Sequence, residues 1–187
     1  MTTPPFDPVT DADLAVVREQ LGRPARGVVG VAARCVCGNP VVVATAPRLP
    51  DGTPFPTFYY LTHPAATAAM SRLEADQVMR ELQAELSDGE VRAAYRRAHE
   101  AYLADRAQYG EVPEIDGISA GGMPERVKCL HALAGHALAA GPGVNPIGDA
   151  ALARSDWSPT RCACAQPGPN LAAHLGSQAR PESGPAA

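Results

Sequence analysis

Aromatic residues are scarce in this sequence, long apolar runs are missing, and charge of neither sign is gathered into blocks. Phe, Trp and Tyr make up 5% of the 187 residues, whereas 45% are hydrophobic and many of those are alanine. That balance predicts a core of small aliphatic side chains packed between helices. No segment reaches the roughly 18 consecutive apolar residues that a membrane-spanning helix needs. The 16 Lys and Arg are interspersed with 20 Asp and Glu, for a formal charge of −4. Without a basic stripe to neutralise phosphates, nucleic acid is not an expected partner. The opening MTTPPFDPVTDAD has neither the basic region nor the apolar run of a signal peptide, so a cytoplasmic location is expected. Cysteine is present in an odd number, at Cys35, Cys37, Cys129, Cys162 and Cys164. In such a chain a disulfide framework is not expected, which leaves free thiols or metal ligands.

What is present divides into one domain's worth of elements, since the length suits a single core better than two. Thr10 before DADLAVVREQLG has the character of an N-cap, and Leu14, Val17 and Leu21 recur at helical spacing, predicting a helix over residues 11–21. GVVGVAARC and NPVVVATA are β-branched runs on either side of CVCGN, and they predict a hairpin over 28–34 and 40–46. The proline-rich PRLPDGTPFP predicts a loop, and TFYYLTH a third strand. His63-Pro64 marks a helix start whose apolar stripe runs through Met70, Leu73, Leu82 and Leu86 to Ser87. Ser87 and Glu90 then form a capping-box pattern for a helix over 88–109 with a charged, solvent-facing side. Pro124 at a first helical position and Gly141 beyond the end predict a further helix through PERVKCLHALAGHALAA. The fold class expected is α+β: a small antiparallel sheet packed by three or four helices. The expected domain covers 11–150, between a flexible N-terminus over 1–10 and a low-complexity, largely disordered tail over 151–187.

The blocks RLPDGTPFPTFYYLTHP, SRLEA and GISAGGMPERVKCLHALAGHALAAGPGVNPIGD, with LGRPARGV and AARC before them, resemble a bacterial, largely actinobacterial family called domain of unknown function 501. The resemblance covers about residues 12–150. It implies no activity, cofactor or catalytic residue. Gene neighbourhoods of that family imply housekeeping or envelope-related work by association only. Members carry either His or Cys at the position of His63, an exchange compatible with a metal ligand, whereas Cys37 is not a fixed feature of the family.

Two constellations suggest chemistry. Cys35, Cys37, His63 and Cys129 form a candidate zinc set, with His131 or His136 as substitutes, because zinc takes four thiolate or imidazole ligands. Within a regular helix from Pro124, Cys129 and His131 would point about 160° apart and could not share an ion. Cys129 and His136 would lie roughly 10 Å apart along the axis. Cys129 is therefore expected to act as the sole ligand from that helix, and Cys162 and Cys164, outside the resemblance, are expected to be incidental. The second constellation is GISAGGMPERVK, where Gly121, Gly122 and Met123 at a helix N-terminus, with Arg126 and Lys128, would bind an anion. The Gly-Lys-Ser/Thr ending of a P-loop is missing. A third reading makes Cys129 a nucleophile with a nearby His as base. The expected function is binding of a small phosphorylated or carboxylated ligand, with zinc as the cofactor these donors suit. The alternatives are a metal- or thiol-dependent hydrolase and a non-catalytic protein partner in cell division or the envelope.

Overall fold

The computed structural model describes residues 6–164 and 168. Thr10 caps helix α1 (Asp11–Leu21) in a full capping box with Asp13, and Gly22 ends it. Strands β1 (Val28–Arg34), β2 (Pro40–Thr45) and β3 (Tyr59–Leu61) form an antiparallel sheet in the order β1-β2-β3. Val31 pairs with Val43, and Val43 with Tyr60. The central strand β2 is buried along its whole length, as its unbroken apolar run implies. Asp7 extends the sheet by exchanging backbone hydrogen bonds with Val31, and Phe6 packs on Phe58 and Tyr59, so the packed domain starts before residue 11.

Helices α2 (Pro64–Ala75), α3 (Val78–Glu85), α4 (Gly89–Ala107), α5 (Leu130–Ala140) and α6 (Pro146–Arg154) follow; α5 packs on the sheet, and α2 and α6 pack on α5. The α+β class with a small antiparallel sheet is as the sequence indicates, but the described residues form six α-helices rather than three or four. One reason is that the run from Pro64 to Ser87 is broken at Gln77, whose left-handed φ of 62° starts α3 on a new axis. The other is α6, which Asn145 caps by accepting from the Gly148 amide at 2.9 Å. The cap of α4 is Asp88 rather than Ser87, its carboxylate accepting from the Glu90 and Val91 amides. Along α4, Tyr95, Ala98, Tyr102 and Arg106 are buried at helical spacing while Arg92, Arg96 and Glu100 face water. The core is more aromatic than the composition suggests, because Phe58, Tyr59, Tyr95 and Tyr102 are all fully buried. The domain edge expected near 150 falls inside α6, and Trp157 beyond it is buried in the core. The disorder expected of the tail lies mostly outside the described residues.

Two buried polar contacts tie the layers together. Arg34, at the end of β1, donates from Nη1 to Asp13 Oδ1 at 2.7 Å and from Nη2 to Asp13 Oδ2 at 3.1 Å. Its Nε reaches Asp7 Oδ2 at 2.7 Å and its Nη1 the Gly38 carbonyl at 3.0 Å. On α5, His136 is stacked on Tyr59 with ring centroids 5.4 Å apart and meets the edge of Tyr102 at 5.2 Å. Asn145 Oδ1 is already an acceptor, so its Nδ2 donates to His136 Nδ1 at 3.2 Å. His136 therefore carries its proton on Nε2, which has no partner among the described residues. No helix among those residues is long and apolar enough to cross a membrane.

Candidate functional site

Helix α5 begins at Leu130, not at Pro124, and this changes what surrounds Cys129. The preceding loop folds on itself: the Arg126 amide donates to Gly122 O, the Lys128 amide to Gly121 O and the Met123 amide to Ala120 O. The Val127 amide is taken by Gln83 Oε1 of α3 at 2.8 Å. With the Val127 and Lys128 amides bound to acceptors other than the carbonyls four residues back, the continuous helical ladder starts only at the apolar LHALAGHALAA. Gly121 and Gly122 have φ of 70° and 94°, and a Cβ would strike the Leu133 side chain at the first and the Arg126 carbonyl at the second. The two glycines thus serve the turn. Arg126 and Lys128 are exposed, whereas Met123 is buried. The helix-terminal field on which the expected anion binding rests lies at Leu130 instead, well past Gly121, Gly122 and Met123.

Cys129 occupies the N-cap position of α5 with extended backbone, φ −148° and ψ 108°. The orphan amide of Leu130 is satisfied from another element: Glu74 in the last turn of α2 accepts it on Oε1 at 2.7 Å. An acidic group at a helix N-terminus is favourable on the macrodipole too. Because Cys129 stands just before the helix, the 160° separation from His131 does not apply, and Cys129 Sγ lies 3.9 Å from His131 Nδ1. The same Nδ1 is 3.2 Å from Glu74 Oε1. His131 Nε2 is 3.2 Å from the Thr67 carbonyl and 3.2 Å from Ser71 Oγ, both on α2. A carbonyl and a carboxylate oxygen only accept, so with Thr67 O at Nε2 and Glu74 Oε1 at Nδ1 the site favours the doubly protonated ring, whose Nδ1 hydrogen faces Glu74 and the Cys129 sulfur.

The electrostatics follow from that geometry. The hydrogen bond from His131 lowers the Cys129 pKa below the ordinary thiol value, with burial opposing and the Ala132 amide assisting. The His131 pKa is raised, first by Cys129 and then by the charge of Glu74, against burial. Thiolate and imidazolium favour one another here. His131 and Glu74 side chains are each 26% exposed, and Cys129, His131, Thr67, Ser71 and Tyr60 line an open cleft of about 590 Å³. Glu74, Cys129 and His131 also present one ligand atom each within 4.8 Å of one another.

The other expected ligands are elsewhere. Cys35 and Cys37 meet Cys162 and Cys164, and the four sulfurs lie within 4.8 Å of one another. Cys129 is in the Glu74 and His131 group instead. His63 caps α2, its Nδ1 accepting from the Ala66 amide at 3.4 Å, and its Nε2 is 3.0 Å from Cys164 Sγ. His136 is the core residue described above. Sequence reasoning missed Glu74, which nothing local distinguishes from other helix-surface acids. It also treated Cys162 and Cys164 as incidental, although their C-x-C spacing repeats that of Cys35 and Cys37 and Trp157 stands just upstream as an apolar anchor.

Residues 31–153 match the model of a family described as a protein of unknown function, DUF501. The chain belongs to the DUF501 family. The match begins later than the resemblance that includes LGRPARGV, and it ends before Cys162. All of the Glu74, Cys129 and His131 group therefore lies within the DUF501 region, whereas the four-cysteine cluster draws half of its residues from beyond it. No curated protein and no solved structure matches the chain.

Proposed function

We propose that this DUF501 protein is a thiol-dependent hydrolase of a small electrophilic substrate, with Cys129 as nucleophile, His131 as acid and base, and Glu74 as the group that orients and charges the imidazole. The observation that carries the reading is Cys129 Sγ at 3.9 Å from His131 Nδ1, at the N-terminus of α5 and on the wall of a cleft. His131 Nδ1 takes the thiol proton, and Glu74 and Thr67 O hold the resulting imidazolium at its two nitrogens. The thiolate then forms a bond to an acyl carbon of the substrate. The leaving group departs with the proton from Nδ1, and water activated by the same nitrogen releases the acyl product and restores the thiol. Thr67, Ser71 and Tyr60 supply polar and aromatic surface for a small molecule.

Alkylation by iodoacetamide at neutral pH, followed by peptide mapping, tests this. Cys129 should react roughly tenfold faster than an unperturbed thiol, and His131→Ala should remove the advantage. A Cys129 rate equal to that of free cysteine, or unchanged in His131→Ala, would overturn the reading. The three ligand atoms within 4.8 Å support a second reading, a metal-activated water. Protection of Cys129 that a chelator relieves would select it.

A further inference from the structure

Away from the cleft, two C-x-C pairs distant in sequence bring four sulfurs to one point. Cys35 and Cys37 lie in the turn between β1 and β2, where the Cys35 amide donates to Asn39 O at 2.9 Å and the Gly38 amide to Cys35 O at 2.8 Å. Cys162 and Cys164 are brought over this turn by the segment that follows α6. Trp157 anchors that segment in the core, the Val36 amide donates to Pro159 O at 3.0 Å, and the Gly168 amide donates to Cys37 O at 2.7 Å. We propose that Cys35, Cys37, Cys162 and Cys164 bind a structural zinc ion that fastens the C-terminal segment to the β1–β2 turn.

Ligand type, distance and surroundings all suit this ion. Zinc–thiolate bonds of about 2.3 Å place the sulfurs of a tetrahedral site about 3.8 Å apart. The four sulfurs, already within 4.8 Å of one another, need only small rotations to reach it. Four soft ligands and no open position describe a structural rather than a catalytic site. Four thiolates leave the complex with excess negative charge, and hydrogen-bond donors surround it. The Cys164 amide points at Cys162 Sγ at 3.4 Å. Asn39 supplies its backbone amide toward Cys37 and its side chain toward Cys164. His63 Nδ1 accepts from Ala66, so its Nε2 bears the hydrogen and donates to Cys164 Sγ at 3.0 Å. His63 is accordingly a donor to a ligand, not a ligand, which is how groups just outside a zinc site fix and tune its thiolates. Trp157 packs against the His63 ring, centroids 5.6 Å apart, and shields that side from water.

Elemental analysis of the full chain purified without added metal should find one zinc per chain. Cys129→Ser should retain the metal, because that thiol belongs to the other group, while Cys162→Ser with Cys164→Ser should lose it and melt at lower temperature. His63→Ala should keep zinc but weaken its affinity about 10- to 100-fold in competition with a chelator. Cobalt(II) should give a tetrahedral tetrathiolate spectrum with the unaltered protein and not with the double variant. Iron in place of zinc, four thiols that alkylate freely in the purified protein, disulfides among them, or zinc that leaves with Cys129→Ser would each overturn the proposal.

Discussion

Replacing Arg34 by Met should lower the unfolding free energy by about 3–5 kcal/mol, because it leaves the Asp13 carboxylate buried without its cation. Asp13 is fully buried and Arg34 holds both of its oxygens, so removing the guanidinium alone removes the compensation but not the charge. A methionine chain of similar length keeps the packing of the stem. Urea unfolding at pH 7 gives the loss. As a control, Arg26→Met, which breaks only the exposed pair with Asp51, should leave the midpoint close to that of the unaltered protein. A second readout is acid unfolding. Burial pushes the Asp13 carboxyl up, but hydrogen bonds from Arg34 and Thr10 outweigh it, so its pKa lies below the ordinary value. The stabilisation is thus present above the unfolded pKa and is lost as pH falls through the folded one. Without Arg34 the burial effect remains unopposed by the guanidinium, and acid unfolding should begin at higher pH. Equal midpoints for the Arg34 and Arg26 variants would refute the assignment.

Lowering the pH from 7 to 4 should cost about 3 kcal/mol through His136 alone. Burial between Tyr59 and Tyr102 depresses its pKa to about 4. Between that value and the ordinary 6.5 the unfolded chain binds the proton and the folded chain does not, so stability rises with pH across this window. The protonated ring would lose the acceptor that Asn145 uses on Nδ1 and would place a charge in an aromatic pocket. His136→Phe should be less stable at pH 7, since Asn145 Nδ2 loses that acceptor, yet show a flatter stability profile from pH 6.5 to 4. His63 and His99 are depressed by burial as well and add the same sign in both proteins. His131, raised by Cys129, acts in the opposite sense, its contribution present at low pH and lost as pH rises through its folded value. The difference between the two profiles therefore isolates His136. Identical slopes would show that its titration does not govern acid stability.

The elements that sequence made legible are those whose instructions are local. The hairpin follows from two β-branched runs around a Gly-Asn turn, α1 from its Thr10 cap, and the solvent-facing side of α4 from its charged residues. Where the instructions come from afar, sequence reading went astray. Pro124 is a good first helical residue in isolation, but Gln83 and the carbonyl of Gly121 take the Val127 and Lys128 amides that a helix there would need. The first amide of α5 is capped by Glu74 across the fold, so the cap has no sequence signature near Leu130. The placement of Cys129 beside His131 depends on that late start, as does the loss of a helix-terminal field at Arg126. Left-handed Gln77 is equally silent in the sequence, since a glutamine rarely takes that conformation. The pairing of Cys35 and Cys37 with Cys162 and Cys164 joins residues more than 120 positions apart in the chain, a distance no local pattern reveals.

That separation sets a schedule during biosynthesis. The β1–β2 hairpin is built from neighbouring segments and can form as soon as both strands leave the ribosome, whereas Pro159, Cys162 and Cys164 are made on the order of ten seconds later at ordinary elongation rates. Throughout that interval the nascent hairpin holds out two thiols and the unpaired Val36 amide, and its turn is completed only by nearly the last described residues to be synthesised.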